Sequence, residues 1–187
     1  QSHGLGHGID GGLAEYVSAR ATNLLKLPKG FDHIGASLLA CPIGVSIRAL
    51  QDIAGVRLGQ KVVVYGVGGG LGIHAAQIAA AAGAEVLAFT TSPHKLEGLE
   101  QLGFGPVFLA SDGLDIAEIV FACTDDKGAD IVFNPVGSSV FQSALKSLAY
   151  GGKMLVLGEV SASNVSINVV EMMFRDASVI GSTGAGL

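Results

Sequence analysis

The sequence predicts an α/β fold: a doubly wound, parallel sheet of six strands with helices on both faces. Three observations predict it. Short β-branched runs alternate with helix-forming stretches from Lys61 onward. A glycine cluster, Gly66-Val67-Gly68-Gly69-Gly70-Leu71-Gly72, separates the first such run from the first such helix. The composition is 49% apolar and only 14% charged, which suits a sheet covered on both sides.

The first strand is expected at Lys61–Tyr65, where Val62, Val63 and Val64 form an unbroken apolar run. The glycines end it, and a helix over Leu71–Ala82 follows, rich in small residues (Ala75, Ala76, Ala79, Ala80). Glu85–Thr90 completes a βαβ unit. Pro93 opens the next helix, Pro93–Leu102, at a first-turn position where its missing N–H costs no bond. Strands at Pro106–Leu109, Asp130–Asn134, Lys153–Leu157 and Ser178–Gly181, with helices at Leu114–Thr124 and Ser138–Ala149, continue the alternation. Gly83, Gly103, Gly128 and Gly151–Gly152 fall where helices stop or the chain turns into a strand. The connection Glu159–Phe174 is less regular and leaves room for one shorter helix. Six strands joined by helical crossovers imply a parallel, doubly wound sheet. By analogy with the Rossmann fold its strand order is expected to be 3-2-1-4-5-6, with a ligand crevice where the order reverses, beside strands 1 and 4.

The first 60 residues break this rhythm. Leu13–Ala19 and Leu24–Leu27 read as strand pieces, and Lys26–Gly30 as a turn at a domain border. Phe31–Ala40 and Val45–Ile53 read as helices broken at Pro42 and Gly44. The expected division is 1–30 and 31–187. Strand pieces without evident partners imply that their partners lie elsewhere.

Bulk properties exclude several classes. A length of 187 residues allows one good core. The net charge of −5 argues against nucleic acid or an anionic membrane surface as the main partner. No unbroken apolar run reaches about 18 residues, so no membrane span is expected. No basic-then-apolar leader is seen, and Cys41 and Cys123 make no disulfide framework, so a cytoplasmic setting is expected.

The glycine cluster is the first candidate site. Gly66, Gly69 and Gly72 give G-x-x-G-x-x-G, with Gly68 and Gly70 between them. A strict G-x-G-x-x-G would need glycine where Leu71 or Ile73 stands. Such a turn lets the backbone approach a pyrophosphate, which the N–H groups of the next helix and its positive dipole end then hold. The residues assigned to it are Gly66, Gly68, Gly69, Gly70, Leu71 and Gly72, and the implied ligand is NAD(H) or NADP(H).

The end of strand 2 reads Thr90-Thr91-Ser92-Pro93-His94-Lys95, with no acid before Glu97. An Asp or Glu there would accept from an NAD ribose and repel a 2′-phosphate. Thr90, Thr91, Ser92 and Lys95 suit that phosphate instead, which points to NADP, with NAD as the alternative. The competing reading makes Thr90–Ser92 a helix cap and Lys95 a solvated charge. The strand ends at Asn134–Val136 and Leu157–Glu159 would line the nicotinamide side, giving Asn134, Val136, Leu157 and Gly158 as further candidates. Pro135 and Gly158 serve equally as plain turn residues.

His3 and His7, four apart, are a weak ligand pair; His74 falls in the first turn of the helix after the glycines; His33 and His94 read as solvent positions. Cys123 reads as a packing residue.

Gly11-Gly12-Leu13-Ala14-Glu15-Tyr16-Val17, Pro28, Leu39–Val45, Val62–Gly72, Gly128–Asn134 and Gly151–Met154 together resemble the medium-chain dehydrogenase/reductase superfamily, and within it the zinc-dependent alcohol dehydrogenases. The resemblance runs through essentially the whole chain in one order. It implies a cofactor-binding domain, with residues 1–30 as the last strands of a GroES-like catalytic domain otherwise missing. It implies a zinc ligand at Cys41, whose ordinary alternative is a small buried residue. It implies zinc in the intact enzyme, an alcohol or aldehyde substrate, and a homodimer paired along Ser178–Gly181. Two other readings stand beside it: a zinc-free quinone or enoyl reductase of the same superfamily, and a nucleotide-binding sensor without catalysis.

Overall fold

The computed structural model describes residues 4–6, 8–111 and 113–184. The chain forms two compact units, 1–36 and 37–187. In the first unit, Gly4–Leu5 and Gly8–Ile9 make a two-residue parallel pair, and a 3-10 turn covers Ala21–Asn23. The strand pieces expected at Leu13–Ala19 and Leu24–Leu27 do not form. Leu13, Tyr16 and Leu25 are exposed, and an extended segment without a ladder partner gains nothing from strand geometry.

The second unit holds a six-stranded parallel sheet. Its strands are β1 (Lys61–Val64), β2 (Glu85–Thr90), β3 (Val107–Leu109), β4 (Ala129–Asn134), β5 (Leu148–Val156) and β6 (Ser178–Gly181). The spatial order is β3-β2-β1-β4-β5-β6, as the sequence predicts. The helices are α1 (His33–Ala54), α2 (Gly70–Ala81), α3 (Leu96–Glu100), α4 (Ile116–Ala122), α5 (Phe141–Lys146) and α6 (Val169–Phe174).

Alternation along β1 divides the core. Val62 and Val64 pack with Ala49 and Leu50 of α1 and with Ala75, Ala76 and Ala79 of α2. Val63 and Tyr65 pack on the other face with Ile116, Val120, Phe141 and Leu145 of α4 and α5. Both clusters surround β1 because a parallel sheet is buried on both sides, and each fully buried valine contributes about 1.5–3 kcal/mol.

Three segments depart from expectation. The helices expected apart at Phe31–Ala40 and Val45–Ile53 are one run, because Pro42 is absorbed by a π turn over Leu39–Ile43. A proline lacks the N–H of a regular helical bond, and the wider turn removes the need for it. The Ser46 hydroxyl donates to the Pro42 carbonyl at 2.7 Å. At 22 residues this run is long and apolar enough to cross a membrane by length and composition, although no unbroken apolar stretch suggested it. Its second half packs in the core, with Ala49 and Leu50 fully buried. The helix expected over Ser138–Ala149 ends at Lys146, because Leu148 already pairs with Ala129. Gly151 and Gly152 then lie inside β5, at a register shift, rather than in a turn before it. Finally, Pro93–Lys95 is a 3-10 turn and only Leu96–Glu100 is α-helical.

Candidate functional site

The glycine turn follows β1 directly. The Tyr65 N–H donates to the Phe133 carbonyl at 3.1 Å and the Val67 N–H to that of Phe89 at 3.0 Å, so the turn leaves the sheet held by both neighbouring strands. Gly66 adopts φ +62, and the Gly69 N–H returns to its carbonyl at 3.0 Å. A β-carbon on Gly72 would lie 2.4 Å from the Gly66 oxygen. The start of α2 is therefore as close to the strand end as a backbone can come. Gly69 is the N-cap of α2 and offers no side-chain cap, so the first-turn N–H groups are left for a ligand.

This turn opens into a cleft. Gly66, Gly69, Gly70, Leu71, Gly72, Pro135, Val136 and Val160 line a volume of about 410 Å³. It sits where the strand order reverses, between β1 and β4. Glycine turn and β4 loop touch closely enough that a β-carbon on Gly66 would lie 2.9 Å from Val136 Cγ2. A larger cleft of about 650 Å³ lies around Asp115, Gln142, Ser143, Lys146 and Glu171. Its central charges satisfy each other: Lys146 donates to Asp115 at 2.6 Å, which lowers the Asp115 pKa and raises that of Lys146. Asp115 also caps α4. No residue of the glycine turn lines it.

The residues after β2 meet the glycine turn from the other side. Lys95 Nζ donates to the Gly68 carbonyl at 2.7 Å. Thr90 is buried, and a β-carbon on Gly68 would lie 2.9 Å from its hydroxyl oxygen. That oxygen accepts from the Ser92 N–H at 3.2 Å. Thr90 thus supports the loop from beneath, while Thr91 and Lys95 are exposed and Ser92 is half-buried. No acid belongs to this segment before Glu97.

The β4 and β5 candidates are brought together as well. Asn134 is fully buried; Oδ1 accepts from the N–H groups of Val136 and Gly137 at 3.0 and 2.8 Å, and Nδ2 donates to the Gly137 carbonyl at 3.1 Å. Its side chain shapes the loop. The Leu157 N–H donates to the Asn134 carbonyl at 3.0 Å, and a β-carbon on Gly158 would lie 2.4 Å from the Pro135 oxygen. Val160, beyond the expected strand end, lines the cleft. Glu159 joins the two loops, with its carboxyl pKa held down to about 2 first by the Ser138 hydroxyl and further by neighbouring backbone N–H groups. The sequence named it only as the end of a strand: its partner Ser138 is 21 residues away, so no local motif marks the contact.

Among the described residues no metal site assembles around Cys41. Cys41 is exposed on the π turn of α1. Among the described residues no group of three His, Cys, Asp or Glu is placed to hold a metal ion. A lone thiolate does not fit a zinc site, which takes three or four protein ligands. His3 and His7 lie outside the described residues. His33 and His94 are exposed, as expected, and His74 is half-buried. Cys123 is exposed at the C-terminal end of α4 rather than packed in the core, because the helix stops there and its side chain meets solvent.

Residues 70–186 match the family model described as zinc-binding dehydrogenase. The chain is 33% identical over 186 residues to an acryloyl-coenzyme A reductase of Sulfurisphaera tokodaii, covering 98% of this chain and 54% of the relative. It is 30% identical over 175 residues to a quinone oxidoreductase of Homo sapiens, covering 94% and 52%. A crystal structure of an NAD-dependent alcohol dehydrogenase superposes with a TM-score of 0.85 at 31% identity, covering 96% and 52%. The chain thus spans about half the length of the relatives it matches.

Proposed function

Because this chain belongs to the zinc-binding dehydrogenase family of the medium-chain dehydrogenase/reductase superfamily, we propose that it is the NADP(H)-binding part of an oxidoreductase that moves hydride between the nicotinamide and an alcohol or carbonyl compound. The glycine turn carries this reading: an uncapped helix start opens into a cleft at the reversal of strand order. The residues fit a dinucleotide, since the space that β-carbons would fill at Gly66 and Gly72 is left to backbone alone.

The first-turn N–H groups of α2 would hold the pyrophosphate. Lys95, Thr91 and Ser92 would face the 2′-phosphate of the adenosine half, where no carboxylate repels it. Val136, Val160 and Leu157 would wall the nicotinamide half and keep water from it. The dinucleotide supplies the hydride when bound; the chain supplies position and electrostatics. A zinc ion in the intact enzyme would need Cys41 to be joined by ligands from outside this chain, and would then polarise the alcohol or carbonyl oxygen.

A second reading is reduction of a quinone or an activated double bond. The G-x-x-G-x-x-G spacing and the likeness to an acryloyl-coenzyme A reductase and a quinone oxidoreductase favour it. Turnover of NADPH by the full-length protein with aldehydes, quinones and enoyl thioesters separates the two. Oxidation of NADPH by aldehydes supports the first reading; oxidation only by quinones or enoyl thioesters replaces it with the second. Binding without any turnover would make the domain a nucleotide sensor. We further propose a homodimer paired along the Ser178–Gly181 edge of the sheet, where β6 leaves one side of its ladder open.

A further inference from the structure

One side chain clasps the two loops that form the nicotinamide wall of the cleft. The Glu159 carboxylate accepts from the N–H of Ser138 at 2.9 Å and from its hydroxyl at 2.8 Å. It accepts also from the N–H groups of Ser161 and Ala162 at 2.9 and 2.8 Å, and from the Ser161 hydroxyl at 3.1 Å. Ser138 belongs to the loop after β4; Ser161 and Ala162 belong to the loop after β5. All five donors are neutral. The carboxylate sits over Gly137, where a β-carbon would lie 2.7 Å from Glu159 Oε2. Next to it, the Val160 N–H donates to the Val136 carbonyl at 3.1 Å, and these two valines line the cleft.

We propose that Glu159 is a positioning residue for the nicotinamide half of the dinucleotide, fixing the spacing of Val136 and Val160 without touching the ligand. The inference rests on the dinucleotide reading above. Residues 161–168 form neither helix nor strand and are exposed. The Ser138 and Ser161 hydroxyls lie 2.7 Å apart and Gln142 donates to the Ser166 carbonyl at 2.7 Å, but the Glu159 carboxylate is the group that gathers donors from both loops at once. With the carboxylate gone, the donors turn to water, and the wall must be ordered when the ligand arrives. The other half of the cleft is anchored separately, through Lys95 on Gly68 and Gly69 on Gly66. Loss of the clasp should therefore be felt by a ligand that carries nicotinamide and not by one that stops at the adenosine phosphates.

The test uses NADPH fluorescence titration and competition by 2′,5′-ADP on this chain, as wild type, Glu159→Ala and Glu159→Gln. Glu159→Ala is expected to weaken NADPH about tenfold and to leave 2′,5′-ADP within about twofold. The emission gain of bound NADPH should fall as well. Glu159→Gln should recover part of the loss, since its carbonyl keeps the Oε1 partners while its amide faces the Ser138 N–H; it also carries the test if the alanine variant does not fold. Equal weakening of both ligands, or no change in either, overturns the proposal and leaves the dinucleotide reading intact. Failure of the wild type to bind either ligand overturns both.

Discussion

The Lys95 ammonium donates to the Gly68 carbonyl across 2.7 Å, tying the segment after β2 to the glycine turn after β1. This contact holds a cation beside the glycine turn in a stretch that holds no acid before Glu97. It converts a compositional hint about cofactor choice into a residue to change. Lys95→Glu should weaken NADPH about tenfold or more, since a charged hydrogen bond is lost and a repulsion gained, while NADH changes far less. Titration of both dinucleotides reads the difference. Equal loss would mean that Lys95 supports the turn and never meets the 2′-phosphate.

Gly72→Ala tests the cradle. Its new methyl would need to lie 2.4 Å from the Gly66 oxygen, and the neighbouring atoms are backbone that cannot swing aside. The start of α2 must shift, at about 1–3 kcal/mol of stability. Urea unfolding should show that loss, and NADPH titration should show binding abolished because the first-turn N–H groups no longer point at the phosphates. Retained affinity at wild-type level would place the pyrophosphate elsewhere.

Asn134→Ala removes the buried acceptor of the Val136 and Gly137 N–H groups. Leaving these donors without a partner should cost about 1–3 kcal/mol. Because the loop they hold lines the cleft, NADPH affinity should fall with stability.

Thr124→Val provides a contrast away from the cleft. The Thr124 hydroxyl donates to the Val120 carbonyl at 2.7 Å and accepts from the Gly128 N–H at 2.9 Å, joining the end of α4 to the start of β4. Valine keeps the shape but strands the Gly128 N–H, for about 1–3 kcal/mol. Denaturant unfolding should report the loss while NADPH affinity, measured well below the transition, is unchanged. A parallel fall in affinity would show that any destabilisation reaches the cleft, and would weaken the argument from Asn134.

The Glu159 clasp has a pH signature. Its folded pKa is about 2, below the ordinary value of 4.5, so the native state prefers the carboxylate. The stability it adds is fully present above pH 4.5 and is lost as pH falls through about 2. Glu159→Gln has no such proton to bind. The stability difference between wild type and Glu159→Gln should narrow as pH is lowered across this window, by urea unfolding. A difference that stays constant would mean that the carboxylate's charge is not what the five donors recognise.

What was legible in the sequence is local and periodic. The valine run of β1, the helix after the glycines and the G-x-x-G-x-x-G spacing are each written within a dozen neighbouring residues, and the βαβ rhythm marks a parallel, doubly wound sheet. Its order 3-2-1-4-5-6 follows only by analogy, since the same crossover hand also permits 2-1-3-4-5. Less legible were elements whose limits depend on a distant partner. Leu148 leaves its helix because Ala129 is there to pair with it. Pro42 stays within α1 because a π turn replaces the missing bond and the Ser46 hydroxyl meets its carbonyl. Leu13–Ala19 forms no strand in the absence of a ladder to join.

The sequence by itself determined that a glycine turn joins a buried strand to a helix, and that the end of β2 carries hydroxyls and a lysine in place of an acid. Only the tertiary structure decided which of these groups face the cleft. It placed Thr90 beneath the turn, turned Asn134 inward to hold its own loop, and joined Glu159 to Ser138. The physical reason is that periodicity and turn chemistry act between neighbours, whereas a hydrogen bond between residues more than 20 apart exists only once the sheet has closed and brought their loops to one edge.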